Sequence, residues 1–322
     1  MIRIERYPTL KDSKENWEKL QKGVPHYPFQ SFWYNSIFAK HFCKEENVYI
    51  LGIYDGENLI GIGAFEKVDQ KIVFLGMKKV LTGEDVTDYG DILIDQKQMD
   101  MQEVWNAIIT HFKNTSEEIQ LDFVREDSAA FSITKQLSNA TISTQEVSPF
   151  VTLPVTWDDY LAMLDRKERH ELKRKISRLE SQHSFHLCKE LSHKEHFEEF
   201  VRLHRMSDPK KAQFMSEEMK VFFWDLVTGE KNDTWWIDFC SLTLDNKTVA
   251  STFSFISNEQ VLLYNSGYDP SYDYFSVGVL LKAFVIKKAI EERRSVFDFL
   301  RGEERYKYDL GGKDLQLYKI HI

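Results

Sequence analysis

The sequence predicts a mixed α/β (α+β) chain of two tandem domains, each a mixed central sheet flanked by helices. Three observations predict it. The chain has 322 residues, and domains usually run to about 100–200 residues, so two are expected. One order of elements, a hairpin, a strand, an amphipathic helix and a short strand, occurs twice. Each copy closes on an Asp-Phe dipeptide, in Leu121-Asp122-Phe123-Val124 and in Phe297-Asp298-Phe299-Leu300.

In the first copy, ILGIYDGENLIGIGAF (residues 50–65) places polar Asp55-Gly56-Glu57-Asn58 between two apolar runs, which reads as a hairpin. A strand near Lys71–Leu75 and a helix near Met99–Phe112 follow, then a helix over Asp127–Leu137. The junction falls at Ser148-Pro149, giving domains 1–148 and 149–322, and Phe150–Leu153 reads as a strand. Helices are expected at Trp157–Leu164, Lys167–Glu180, His193–Met206 and Ser216–Val227, the last opened by a capping serine. In the second copy, FCSLTLDNKTVASTFSF (residues 239–255) turns at Asp245-Asn246-Lys247. A strand near Gln260–Asn265 and an amphipathic helix near Gly278–Glu291 complete it. The period is too long for a solenoid, so a duplicated domain is the reading. No Gly/Ser-rich linker separates the halves.

Composition excludes several classes. Hydrophobic residues are 42% and charged residues 29%, which excludes a disordered chain. A net charge of -9 argues against DNA as partner, because nonspecific nucleic-acid binding needs phosphates neutralised. No apolar run approaches the ~20 residues of a membrane span, and no secretory signal opens the chain, so a cytoplasmic protein is expected. Cys43, Cys188 and Cys240 form no CxxC pair and read as small buried hydrophobes in a reducing compartment.

Two segments of the second copy could carry chemistry. The first is Tyr264-Asn265-Ser266-Gly267-Tyr268-Asp269, followed by Ser276-Val277-Gly278-Val279 at a helix start. Ser276 suits an N-cap, and Gly278 removes a side chain where a ligand could approach. A helix N-terminus offers unpaired N–H groups to a phosphate. The second is Asp298 to Lys307, where Asp298, Arg301, Glu304, Tyr306 and Lys307 gather past a strand end. Ligands in open α/β sheets bind at such ends, and these groups can hold a polar substrate and exchange protons.

These segments resemble the C-terminal half of the GNAT acyltransferases associated with bacterial polysaccharide biosynthesis, the CelD-like branch related to the Fem aminoacyltransferases. The resemblance rests on Gly267-Tyr268-Asp269, on Ser276-Val277-Gly278 and on Asp298 through Lys307. It extends more loosely to Pro28-Phe29-Gln30-Ser31, Ser148-Pro149-Phe150 and Leu203-His204-Arg205. It implies two tandem GNAT-like domains and transfer of an acyl group from acyl-CoA or acetyl-CoA. The acceptor would be an amine or hydroxyl of a sugar, amino sugar or cell-envelope precursor, a small molecule or a glycan. Pyrophosphate would lie on Ser276, Val277, Gly278 and Val279, and the pantetheine arm along Asn265, Ser266, Gly267 and Tyr268. Asp298 or Glu304 would take the nucleophile's proton and Tyr306 would protonate the thiolate. Tyr264, Asp269, Arg301, Lys307 and Arg205 would contact substrate. The chain departs from the family where Tyr272-Asp273-Tyr274-Phe275 stands in place of a glycine-rich phosphate loop. The first copy departs further, with Tyr89-Gly90-Asp91-Ile92-Leu93 at that place, so it is expected to be non-catalytic.

Two rivals follow. A Fem-type aminoacyl-tRNA-dependent transferase would use the basic segment Arg166–Arg178 on tRNA, whereas a solvated helix face with Glu171–Lys175 pairing explains the same residues. A non-catalytic GNAT-fold binding module in glycan assembly is the other. His183, His186, His193 and His196 have metal-like spacing but sit among acidic and polar residues, and no metal is expected.

Overall fold

The computed structural model describes residues 2–81, 83–96, 99–113, 118–135, 140–188, 192–230 and 234–322. The chain divides into two compact units. One holds Met1–Val147, Gly229–Thr234 and Leu315–Ile322, and the other holds Ser148–Thr228 and Trp235–Asp314.

In the first unit, β1 (Ile2–Arg6) pairs antiparallel with β2 (Val48–Asp55), and α1 (Lys14–Gln21) and α2 (Phe32–Phe42) lie between them in sequence. Ser31 caps α2 by accepting from Tyr34 N. β2 turns through Gly56-Glu57 into β3 (Asn58–Val68), with Asp55 opposite Asn58. β3 pairs with β4 (Lys71–Phe74) and, at its start, with β5 (Leu93–Ile94). After α3 (Met101–Lys113), β6 (Glu118–Arg125) runs parallel to β4. Phe65, Phe74 and Phe112 meet beneath this sheet, with Phe65 to Phe112 ring centroids 5.3 Å apart.

The unit boundary falls inside β7 (Thr141–Thr152). Helices α4 (Trp157–Met163), α5 (Arg166–Gln182), α6 (His193–Ser207), α7 (Pro209–Phe214) and α8 (Glu217–Thr228) follow, with the short strand β8 (Phe185–Leu187) after α5. Thr156, Ser192 and Ser216 accept from backbone N–H groups in the first turns of α4, α6 and α8, which fixes where these helices begin. The hairpin β9 (Trp236–Leu244) and β10 (Lys247–Ile256) turns on Asp245 and Asn246, both at positive φ, as a two-residue hairpin loop requires. β11 (Gln260–Tyr268), α9 (Val277–Glu291), β12 (Val296–Asp298) and α10 (Arg305–Asp309) complete the unit. Its sheet runs β7-β12-β11-β10-β9-β8. The final strand, β13 (Lys313–His321), pairs antiparallel with β6 and so belongs with the first unit.

Several expectations need correction. Cys188 and Cys240 are joined by a disulfide: the edge strand β8 lies beside β9 in register, bringing their α-carbons to 4.5 Å. Sequence separation hides such a pairing, because strand register is non-local. The helix α9 is not amphipathic. Val277, Leu280, Leu281, Phe284, Val285 and Ile286 are all buried, so apolar surface surrounds most of it. The segment expected as a helix from Asp127 is a 3-10 turn over Ala130–Lys135, and Gln136 and Leu137 lie outside the described residues. Among the described residues, no helix is long and apolar enough to cross a membrane.

Candidate active site

The second unit splits open at one place. β11 and β12 pair in parallel for three residues only, Gln260 to Leu262 against Val296 to Asp298. β11 then continues to Tyr268, whereas the other strand stops. Phe299 N turns to Pro149 O, and Leu300 takes φ 59°. The two strands therefore form a wedge at their carboxyl ends, where α/β sheets take ligands. On its other side β11 carries a bulge. Phe253 faces Asn265 and Ser254 faces Leu263, so Tyr264 is the extra residue. A bulge breaks the ladder locally and re-aims backbone groups, which frees them for a ligand.

The segment from β11 to α9 differs from its expected form. Gly267 is inside the strand, not in a turn. A Cβ there would overlap the backbone of Leu203 and His204, so the glycine lets α6 lie directly on β11. Asp269 is buried and committed. Its Oδ1 accepts from Ser271 N and Oγ, and its Oδ2 takes Lys247 Nζ at 2.7 Å. Burial alone would raise this carboxyl, but Lys247 and Ser271 bring it down to about 2. It braces the turn through these bonds. Ser276 stands at the N-cap of α9 but makes no side-chain cap bond. Its φ of 54° lies in the left-handed region, and the backbone carbonyl instead accepts from Val279 N and Leu280 N. The space over Gly278 belongs to the Tyr268 ring, 3.1 Å from where a Cβ would stand. Val277 is buried and Val279 half-buried in this first turn.

The residues past β12 divide into braces and accessible groups. Asp298 is 2% exposed, and its Oδ1 accepts from Leu300 N at 2.8 Å and Ser148 Oγ at 3.2 Å. Lys307 is 1% exposed. Its Nζ donates to the carbonyls of Leu300, Arg301 and Gly302 and lies 2.9 Å from Glu304 Oε2. An ammonium has three N–H donors. Lys307 therefore holds the 300–302 loop with all three donors. Arg301 is half-buried and supplies one of those carbonyls. Glu304 keeps an exposed carboxylate at the loop's outer end. The Tyr306 ring stacks 4.5 Å from Lys282 Nζ, and burial, then Glu304, push its phenol above the ordinary range. Arg205 lies apart from these groups: it donates to Met215 O and pairs with Glu217 at 2.8 Å, tying α6 to the start of α8. Tyr264 packs among Phe223, Phe253 and Phe255, with the last centroid at 4.9 Å.

Three groups outside the expected site residues gather at the wedge. His204 is buried and meets Asn265 Oδ1 through Nε2 at 3.1 Å. Burial, then the Lys211 charge, push it down to about 3, so its imidazole is neutral. Lys211 Nζ donates to Ser266 O at 2.6 Å. Lys282 is 6% exposed, with Nζ donating to Gly278 O at 3.1 Å. One signal was available for Lys282. It is the lone charge in VGVLLKAFVI, a run that is otherwise apolar, and lysine is almost never fully buried without a partner.

Residues 166–308 match the family described as "Acetyltransferase (GNAT) domain". No curated protein sequence matches the chain. Among solved structures, FemX is similar at a TM-score of 0.63 and 12% identity, over 98% of this chain and 96% of that one. The C-terminal domain of a putative lysylphosphatidylglycerol synthetase from Agrobacterium fabrum is similar at 0.58 and 8%, over 97% and 92%. A tandem GNAT protein from the clavulanic acid biosynthesis pathway is similar at 0.52 and 9%, over 99% and 98%. At these identities the likeness speaks to fold. The fold is GNAT-like, and residues 166–308 are similar to a GNAT acetyltransferase domain.

Proposed function

We propose that the second unit transfers an acyl group from acyl-CoA to an amine or hydroxyl of a small, sugar-like acceptor. The observation that carries this reading is the wedge between β11 and β12, with its bulge at Tyr264, immediately ahead of α9. An acyl arm laid along Asn265–Tyr268 would meet backbone groups of the splayed strand, and N–H groups there stabilise a developing oxyanion. The first turn of α9, Val277 to Val279, faces the pyrophosphate in this reading. Holding both reactants in the wedge supplies most of the rate. Glu304 takes the acceptor's proton, because its carboxylate is exposed whereas that of Asp298 is buried on Leu300 N and Ser148 Oγ. The phenol of Tyr306, held protonated, returns a proton to the thiolate.

The first unit serves as scaffold in this reading. The region around Tyr89-Gly90-Asp91 is filled, with the Tyr27 and Tyr89 rings 4.9 Å apart and the Arg125 guanidinium against both at 4.6 and 4.7 Å. Asp91 accepts from the backbone N–H groups of Ile92, Ala129 and Ala130.

The test is transfer itself: acetyl-CoA, a panel of amino sugars and polyols, and product detection by mass spectrometry. Native protein should acetylate an amine or hydroxyl, and Glu304→Gln should slow turnover by ~10²-fold or more. Full turnover by Glu304→Gln would remove the base assignment, and no transfer by native protein to any acceptor would count against the donor.

A second reading, an aminoacyl-tRNA-dependent transferase of Fem type, is favoured by one observation. Helix α5 carries seven basic residues against three acidic ones, a net charge of +4 in a chain of net charge -9. Salt-sensitive tRNA binding that charge reversal along α5 abolishes would support it.

A further inference from the structure

The wedge holds more buried and half-buried positive charge than its own carboxylate can balance. Lys211, Lys307 and Glu304 all act on the charge of Lys282. Glu304 stands against Lys307, whose donors are already used on three carbonyls. Lys211 and Lys282 are left with one carbonyl each, Ser266 O and Gly278 O, and among the described residues neither has a carboxylate within ion-pair distance. An ammonium retains two further N–H donors after one such bond. Buried charges are ordinarily paired, and an unpaired one is costly. Here the buried Lys282 on α9 and the half-buried Lys211 on α7 sit near each other, beside the strand edge where a substrate would lie.

We propose that Lys211 and Lys282 form an oxyanion subsite that takes a carboxylate or phosphate of the acceptor, which makes the acceptor acidic. That the anion belongs to the acceptor rests on the acyl-transfer reading; that an oxyanion binds does not. The geometry suits a small planar or tetrahedral anion. Tyr306 covers one side of Lys282 at 4.5 Å, Gly278 O fixes one N–H, and Lys211 approaches from the α7 side beside Ser266. The charge state is coupled to occupancy. Burial, then Lys211 and Lys307, push Lys282 down to about 7, with Glu304 opposing them, and burial also lowers Lys211, with Glu304 and Asp208 opposing. An empty site therefore sheds a proton from Lys282 near neutral pH, and a bound anion restores it.

The experiment is isothermal titration calorimetry on the full chain with acetate and with inorganic phosphate. It is run at about pH 6 and about pH 8.5, in two buffers of different ionisation enthalpy. Acetate keeps a constant charge over this range, so its pH dependence reports the protein. Acetate should bind more weakly at the higher pH, with proton uptake between the two. Lys282→Met should weaken binding roughly tenfold or more and flatten the pH dependence. Lys211→Gln, on a separate helix, should weaken binding and keep the pH dependence. Tighter acetate marks a carboxylate as the natural group, and tighter phosphate marks a phosphate. No binding of either probe by native protein, or native-like binding by a folded Lys282→Met, overturns the subsite. A melting shift with acetyl-CoA is read on the same preparation. Anion binding without that shift keeps the subsite and removes the acyl-CoA reading, and the reverse removes the subsite alone.

Discussion

Lys282 sets burial against charge in one side chain. It sits one helical turn after Gly278, so its ammonium reaches back to that residue's carbonyl and lies against Tyr306. Burial costs the charged form, and the lysine answers with a pKa pushed down to about 7. Between that value and the ordinary 10.5 the folded chain binds fewer protons than the unfolded one. Stability therefore rises with pH across this window, and the penalty is complete below it. Lys282→Met should thus stabilise the protein by ~2–4 kcal/mol at about pH 6, with the gain shrinking toward pH 10. Urea unfolding at both pH values checks this, and a destabilised Lys282→Met at about pH 6 would contradict it. Lys307 is the contrasting case. The motif marks both it and Asp298 as chemical, and the structure spends them on the turn after β12. A motif records which residues gather, and only geometry separates the groups that hold a loop from those left for a ligand.

Elements were legible where the signal is local. The hairpins at Asp55–Asn58 and Asp245–Asn246, helix α5 and the capped start of α8 follow from turn chemistry, charge and a capping residue. What lay hidden is non-local. β13 alternates buried Leu315, Leu317 and outward polar residues, but nothing in that pattern says that its partner is β6. The disulfide of Cys188 with Cys240 depends on the same kind of pairing, β8 beside β9. The close approach of α6 to β11 is also invisible in sequence, although Gly267 is its trace. Gly267→Ala should push the Leu203–His204 backbone off the strand and cost ~1–3 kcal/mol. It should also loosen the contact between His204 and Asn265. A shift of the denaturation midpoint measures the first effect. An unchanged midpoint would mean that α6 does not rest on β11 as described.

At the scale of the whole molecule, the second unit carries both the family match and the wedge, and the first repeats the sheet with its corresponding region filled by Tyr27, Tyr89 and Arg125. Hairpin, strand, helix and strand recur in both halves of the chain, as the sequence pattern predicts. The wedge itself was only implied, since strand divergence depends on where β12 stops, at Asp298, and not on any residue type. Donor binding in the second unit is tested by the melting temperature of the full chain with and without acetyl-CoA, for native protein and for Val279→Glu. The variant sets a negative charge in the first turn of α9, against a pyrophosphate, and its unliganded melting temperature controls for folding. Acetyl-CoA at ~100 times its dissociation constant should add ~2.7 kcal/mol to native protein and little to the variant. An identical response from the two proteins, or none from native protein, would contradict acyl-CoA binding at the start of α9.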